Sequence, residues 1–130
     1  MIRQGGRQQA VGGRSARSCW QLGAGAAWSG ASFREIAEKA WQLPEPYRGG
    51  TLPALAHGIG LVNEYPLILH QRHFERDGYD GLVEADMIIC VESYVGQPGG
   101  AEGVKLEQQI RVTPQGPEVL SPYPLEMQLL

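Results

Sequence analysis

The chain has 130 residues, a formal net charge of −3 and 42% hydrophobic residues, enough for one domain with a stable core and no covalent staples. Its two cysteines, Cys19 and Cys90, lie far apart without metal-ligand spacing, which excludes a disulfide framework or a cysteine-rich zinc module. Cys90 sits inside the apolar run Met87-Ile88-Ile89-Cys90-Val91 and reads as a reduced, buried thiol, so a reducing cytoplasm is the expected compartment.

The charge is unevenly placed. Residues 1–30 carry Arg3, Arg7, Arg14 and Arg17 and no acid, whereas all 14 acids fall from Glu35 onward. Two kinds of sequence are joined. The first holds no apolar stretch that would serve as a secretory core or membrane span. It also lacks the amphipathic pattern of a transit peptide and the interleaved aromatics of a nucleic-acid arm. Residues 1–31 are therefore expected to be a disordered or non-native leader, and neither a membrane nor nucleic acid is expected as a partner.

Ordered sequence is expected from Ser32. Ser32-Phe33-Arg34-Glu35 has the form of a capping box, in which the hydroxyl and the carboxylate satisfy amides at a helix start. Phe33, Ile36, Ala37, Ala40 and Trp41 recur at the spacing of one helical face, which predicts a helix over about 32–42, ended by Pro44 and Pro46. A connection through Tyr47–Pro53 follows. Leu55-Ala56-His57-Gly58-Ile59-Gly60-Leu61-Val62 is apolar but too rich in glycine for a helix, so a strand or bulged turn is predicted over about 55–63.

The polar stretch from His70 to Gly81 reads as a surface loop. Its His70 and His73 are taken as solvated, since no acid or cysteine accompanies them in a ligand pattern. From 86 to 120 a curved antiparallel sheet is predicted. In its first strand Met87, Ile89 and Val91 share one face while Ile88, Cys90 and Glu92 share the other. Glu92 thus extends an apolar row, an expensive place for a carboxylate without a partner. In the next strand Val104, Leu106, Ile110 and Val112 form the apolar face and Glu107 points opposite. Antiparallel pairing brings the two acids together. After Pro114-Gln115-Gly116-Pro117, Glu118-Val119-Leu120 makes a short last strand. The whole is α+β, a curved sheet with few helices. An imidazole, His57, and two acids, Glu92 and Glu107, delivered from separate strand-like segments, are what a catalytic metal centre with an open position requires.

Ala56-His57-Gly58-Ile59-Gly60, Asn63-Glu64-Tyr65-Pro66, Cys90-Val91-Glu92-Ser93-Tyr94, and Val104-Lys105-Leu106-Glu107 with Arg111-Val112-Thr113 resemble successive C-terminal motifs of the pita-bread metallopeptidase family. That family contains methionine aminopeptidases, Xaa-Pro dipeptidases and aminopeptidases, creatinase and a dimethylsulfoniopropionate-lyase branch. Val-Glu-Ser-Tyr and Gly-Val-Lys-Leu-Glu look most like the lyase-related, Xaa-Pro-peptidase-like branch. The resemblance runs from about Ser32 to Leu130. It implies a partial pita-bread (creatinase/aminopeptidase) fold, with residues 32–130 as the C-terminal half of a catalytic domain.

By the same resemblance His57, Glu92 and Glu107 are metal ligands, Glu92 also moves a proton, and Asn63 stands at a substrate-contacting position. The implied cofactor is a divalent ion, manganese, iron, cobalt or zinc, with two ions in the complete family site. The implied substrate is a short peptide or another small molecule. The family's two upstream aspartate ligands have no match, because Asp77, Asp80 and Asp86 all follow His57. The chain is therefore expected to be a truncated fragment of a metal-dependent peptidase, completed by a missing N-terminal half or by homodimerisation. Two other readings stand beside it: a catalytically silent remnant or complementing binding half, and a carbon–sulfur lyase-like enzyme. The lyase branch has an aspartate base where Asn63 stands, and an amide takes no proton at neutral pH.

Overall fold

The computed structural model describes residues 29–40, 42–96, 98–101 and 103–122. Most of the expected leader, with Cys19, lies outside them. Gly30 and Ala31, grouped with the leader by composition, are joined to the fold: the Gly30 amide donates to the Val83 carbonyl at 2.7 Å and the Val83 amide to Ala31 at 2.9 Å.

Helix α1 spans Phe33–Lys39. Ser32 Oγ accepts from the Glu35 amide at 3.0 Å, as the capping-box pattern predicts, and Glu35 pairs with Lys39 one turn on. The helix is shorter than expected. At Ala40 the backbone turns extended, and the Gln42 side-chain amide donates to the Ala40 carbonyl, which Pro44, lacking an amide hydrogen, could not have satisfied in a further turn. A 3₁₀ helix, Glu45–Gly50, occupies the proline-rich connection.

Five strands form one antiparallel sheet in the order β2-β1-β3-β4-β5. They are β1 (Ala54–Ile59), β2 (Asn63–Leu69), β3 (Ile88–Gly96), β4 (Gly103–Thr113) and β5 (Gly116–Val119). The sheet expected over 86–120 is thus β3 to β5. Strand β2 is an addition: the chain reverses at Gly60–Val62 and runs back along β1, with a register shift between His57 and Gly58. The strand contains Pro66, whose missing N–H is tolerated because β2 is at the sheet border. Strand β5, at the other border, carries Pro117.

The predicted loop at 70–81 is corrected. Gln71–Asp77 form helix α2, and His70 at its start is 6% exposed instead of solvated. Burial of Phe74, with the Arg34 guanidinium 4.8 Å above its ring and an ion pair from Arg34 to Glu75, outweighs the turn-rich composition.

The core lies on one face of the sheet. Phe33, Ile36 and Ala37 of α1, Ala40 just beyond its end and Phe74 of α2 pack with Ala56, Ile68, Ile89, Val91, Ile110 and Val112. Since side chains alternate along a strand, Cys90, Glu92 and Glu107 are left on the opposite face, as the periodicity predicts.

Candidate metal centre

Three neighbouring strands carry this second face. His57 on β1 is the cross-strand partner of Cys90 on β3, and Glu92 on β3 is the partner of Glu107 on β4. Directly opposed residues project to the same side, so the register alone collects one imidazole, one thiol and two carboxylates. Next to His57, a Cβ at Gly58 would fall 2.0 Å from the Tyr65 carbonyl oxygen. Only glycine permits β2 to approach so closely at the bulge.

His57 is 4% exposed, and its Nδ1 lies 3.0 Å from the Gly58 carbonyl oxygen. A carbonyl only accepts, so the favoured neutral tautomer carries its proton on Nδ1 and leaves a lone pair on Nε2. That nitrogen is 3.6 Å from Glu107 Oε1. The other Glu107 oxygen, Oε2, is 2.9 Å from Lys105 Nζ, which is also 2.9 Å from Glu92 Oε2. The two oxygens of Glu107 thus face different neighbours. Hydrogen bonding to Lys105 holds the Glu107 carboxyl below its usual range against the opposing effect of burial. The Lys105 ammonium is held protonated to higher pH by the hydrogen bonds it donates to Glu107 and Glu92. Burial pushes the Cys90 thiol up to about 11, with its hydrogen bond to Glu107 acting in the same direction.

His57, Glu92 and Glu107 therefore meet on one face. Glu92 is 6% exposed and paired with a cation, which resolves its cost in an apolar row. Asn63 stands at the exposed start of β2 opposite Ile59, and among the described residues no hydrogen bond ties it to the other three. Two participants were missed. Cys90 was read only as a packed thiol, although its place in the Glu92 row put it beside any site there. Lys105, two residues before Glu107 on the same face, was readable by the same alternation. The three aspartates are engaged elsewhere: Asp77 with Arg76, Asp80 with Arg34 and Asp86 with Arg111. A cavity of about 300 Å³ beside the start of α2, lined by Gln42, Leu43, Arg48, His70, Gln71 and Arg72, contains none of the site residues.

One face of an antiparallel sheet thus gathers a histidine, a cysteine and two glutamates. The profile of metallopeptidase family M24 matches residues 14–114. The chain belongs to that family. The match starts upstream of the recognised motifs, inside the compositionally distinct stretch, and stops before the last strand. Dimethylsulfoniopropionate lyase DddP of Roseovarius nubinhibens is 35% identical over 101 residues, 78% of this chain and 23% of the relative. An uncharacterized peptidase of Staphylococcus aureus (strain USA300) is 35% identical over 88 residues, 68% and 21% respectively. The chain thus spans under a quarter of the length of these curated relatives.

Among solved structures, an Xaa-Pro dipeptidase from Bacillus anthracis superposes with a TM-score of 0.70 at 24% identity, over 92% of this chain and 32% of that one. The prolidase from Pyrococcus furiosus gives 0.69 at 23% identity, over 92% and 34%. At such identities the likeness establishes the fold: part of a pita-bread domain, as expected. Among the described residues no helix is long and apolar enough to cross a membrane.

Proposed function

We propose that the chain carries the metal-binding sheet of a hydrolase acting on short Xaa-Pro peptides, with His57, Glu92 and Glu107 as ligands. The observation supporting this most directly is their convergence from three strands: a 3.6 Å approach of His57 Nε2 to Glu107 and one ammonium 2.9 Å from both carboxylates. The donor set fits the cofactor. It offers a lone pair on a fixed imidazole and two ionisable carboxylates whose pocket already holds a positive charge, a combination suited to manganese, iron, cobalt or zinc.

A divalent ion held there would supply Lewis acidity and lower the pKa of a water, so that hydroxide would be available near neutral pH to attack an amide. His57 is held in orientation by Gly58, Glu107 presents one oxygen on each side, and Glu92 accepts and returns a proton. Asn63, at the rim, offers an amide to hydrogen-bond substrate. The two aspartates of the family's dinuclear site come, in this reading, from another segment or a second copy, since Asp77, Asp80 and Asp86 are paired elsewhere.

The test is metal analysis after equilibrium dialysis, followed by Xaa-Pro dipeptide cleavage. Wild type retains a divalent ion and Glu92→Ala loses it. A wild-type chain that retains none overturns the proposal. Bound metal without turnover instead favours the complementing, catalytically silent half. A lyase reading is favoured by the 35% identity to the dimethylsulfoniopropionate lyase. It requires a base that Asn63 does not provide, so release of dimethyl sulfide is expected only after Asn63→Asp.

A further inference from the structure

We infer that the cavity beside the start of α2 binds the phosphate group of a small solute, at a site separate from the metal centre and independent of it. The cavity measures about 300 Å³ and is lined by Gln42, Leu43, Arg48, His70, Gln71 and Arg72. Three stretches of chain thus bring two guanidiniums, two carboxamides and an imidazole together with no acid among them. In a chain of net charge −3 this concave spot stays positive.

His70 is the informative member. It is 6% exposed, does not cap α2, and among the described residues no hydrogen bond reaches its ring. The side-chain atoms that are sealed from solvent without a partner are His73 Nε2 and Ser93 Oγ. The His70 nitrogens are not sealed, and what exposure they keep opens on the cavity they line. A polar ring buried without a partner is costly, and an oxyanion in the cavity accepts its hydrogen. Burial, reinforced by the Arg72 charge, lowers the imidazole to about 4, so at neutral pH it meets an anion as an uncharged N–H donor.

The guanidiniums are fixed by bonds that leave charge to spare. Arg72 Nη1 donates to the Arg48 carbonyl and Nη2 to Thr51 Oγ1, both neutral acceptors, and among the described residues no carboxylate pairs with it. Arg48 Nε donates to the Leu43 carbonyl at 2.9 Å, and its Nη1 is 2.5 Å from Oε2 of Glu45, whose side chain is 80% exposed. Burial and repulsion from Arg48 both act against the charge on Arg72, and an anion in the shared cavity relieves the repulsion. Two of the three nitrogens of each guanidinium are already engaged, so neither offers an unengaged pair to grip a planar carboxylate at both oxygens. Arg72 Nε, Arg48 Nη2 and the imidazole remain as single donors from separate stretches. A tetrahedral oxyanion, with acceptors in several directions, suits them better. Since a water molecule takes about 30 Å³, the cavity also has room for a small substituent on the phosphate.

The experiment titrates inorganic phosphate into the full chain at neutral pH and follows the ring signals of its three histidines by NMR. Chloride holds the ionic strength constant, acetate is titrated in parallel, and a chelator keeps metal ions from taking up the phosphate. The expected result is a saturable shift of the His70 signals with a dissociation constant of about 1 mM or below, a weaker response to acetate, and none at His57 on the other face of the sheet. Arg72→Met and, separately, Arg48→Met each weaken binding by about 10–100-fold, the size of one charge-assisted hydrogen bond. No saturable shift with phosphate, or undiminished binding in either arginine variant, overturns the site. Acetate binding as tightly as phosphate overturns the choice of ligand. The wild-type titration is decisive even where an arginine variant fails to fold.

Discussion

Replacing Lys105 with methionine keeps much of the side-chain volume and removes the charge shared by Glu92 and Glu107. The two acids are directly opposed on adjacent strands, and Glu92 is 6% exposed, so it has little water to turn to. Unit charges about 4 Å apart at an effective dielectric near 20 interact by about 4 kcal/mol. The Lys105 side chain is 46% exposed, and solvent screening reduces that to about 2 kcal/mol. Lys105→Met is therefore expected to destabilise the fold by about 2 kcal/mol, a shift of about 2 M in the urea midpoint for a slope near 1 kcal/mol/M. Adding Glu92→Gln removes the stranded charge and recovers about 1–2 kcal/mol, so the double-mutant cycle shows coupling of that size. If the proposed metal binding holds, a divalent ion at about 100 times its dissociation constant contributes about 2.7 kcal/mol and is expected to restore Lys105→Met at least as fully as it stabilises wild type. A variant within about 0.5 kcal/mol of wild type, or an equal loss with and without Glu92→Gln, refutes this account of the cluster.

Burial lowers the His70 imidazole to about 4. Its folded value is below its unfolded one, so its contribution is complete above about pH 6.5 and is lost as pH falls through about 4, amounting to roughly 3 kcal/mol. Urea titrations across that window should show the slope in wild type and its disappearance in His70→Gln. Glu107, held low by Lys105, contributes stability above the ordinary carboxylate range that is lost as pH falls through its depressed value, and Lys105→Met flattens this second acid limb. Gly58→Ala forces β2 away from His57 and is expected to cost about 3 kcal/mol, read by thermal melting together with loss of metal retention. Ile89→Ala, at a fully buried core position, costs about 2–5 kcal/mol by the same melts, while metal retention at the proposed site on the opposite face is expected to be unchanged.

The face of β3 and β4 was legible because alternation is a property of the strand itself: Glu92 and Glu107 could be assigned to one side before their register was known. Ser32 was legible as a cap because the bond it makes is three residues away. Helix α2 was not, since its stability comes from Phe74 packing under Arg34, a residue about forty positions earlier. Strand β2 was not predicted; it contains Pro66, whose cost depends on whether a neighbour lies beyond it. Lys105 shares a face with Glu107 by the same alternation, but that Glu92 also reaches its ammonium depends on the pairing of β3 with β4, which the spacing within one strand does not contain.

The prolines of β2 and β5 have a consequence for growth of the molecule. Each border of the ribbon contains a residue with no amide hydrogen to give and a fixed backbone angle, so neither side offers an unbroken template for another chain. Lateral recruitment of strands is discouraged at both ends. A partner docking on this sheet would approach broadside, through side chains over one of its faces, and its fit there would be judged by charge and shape instead of backbone pairing.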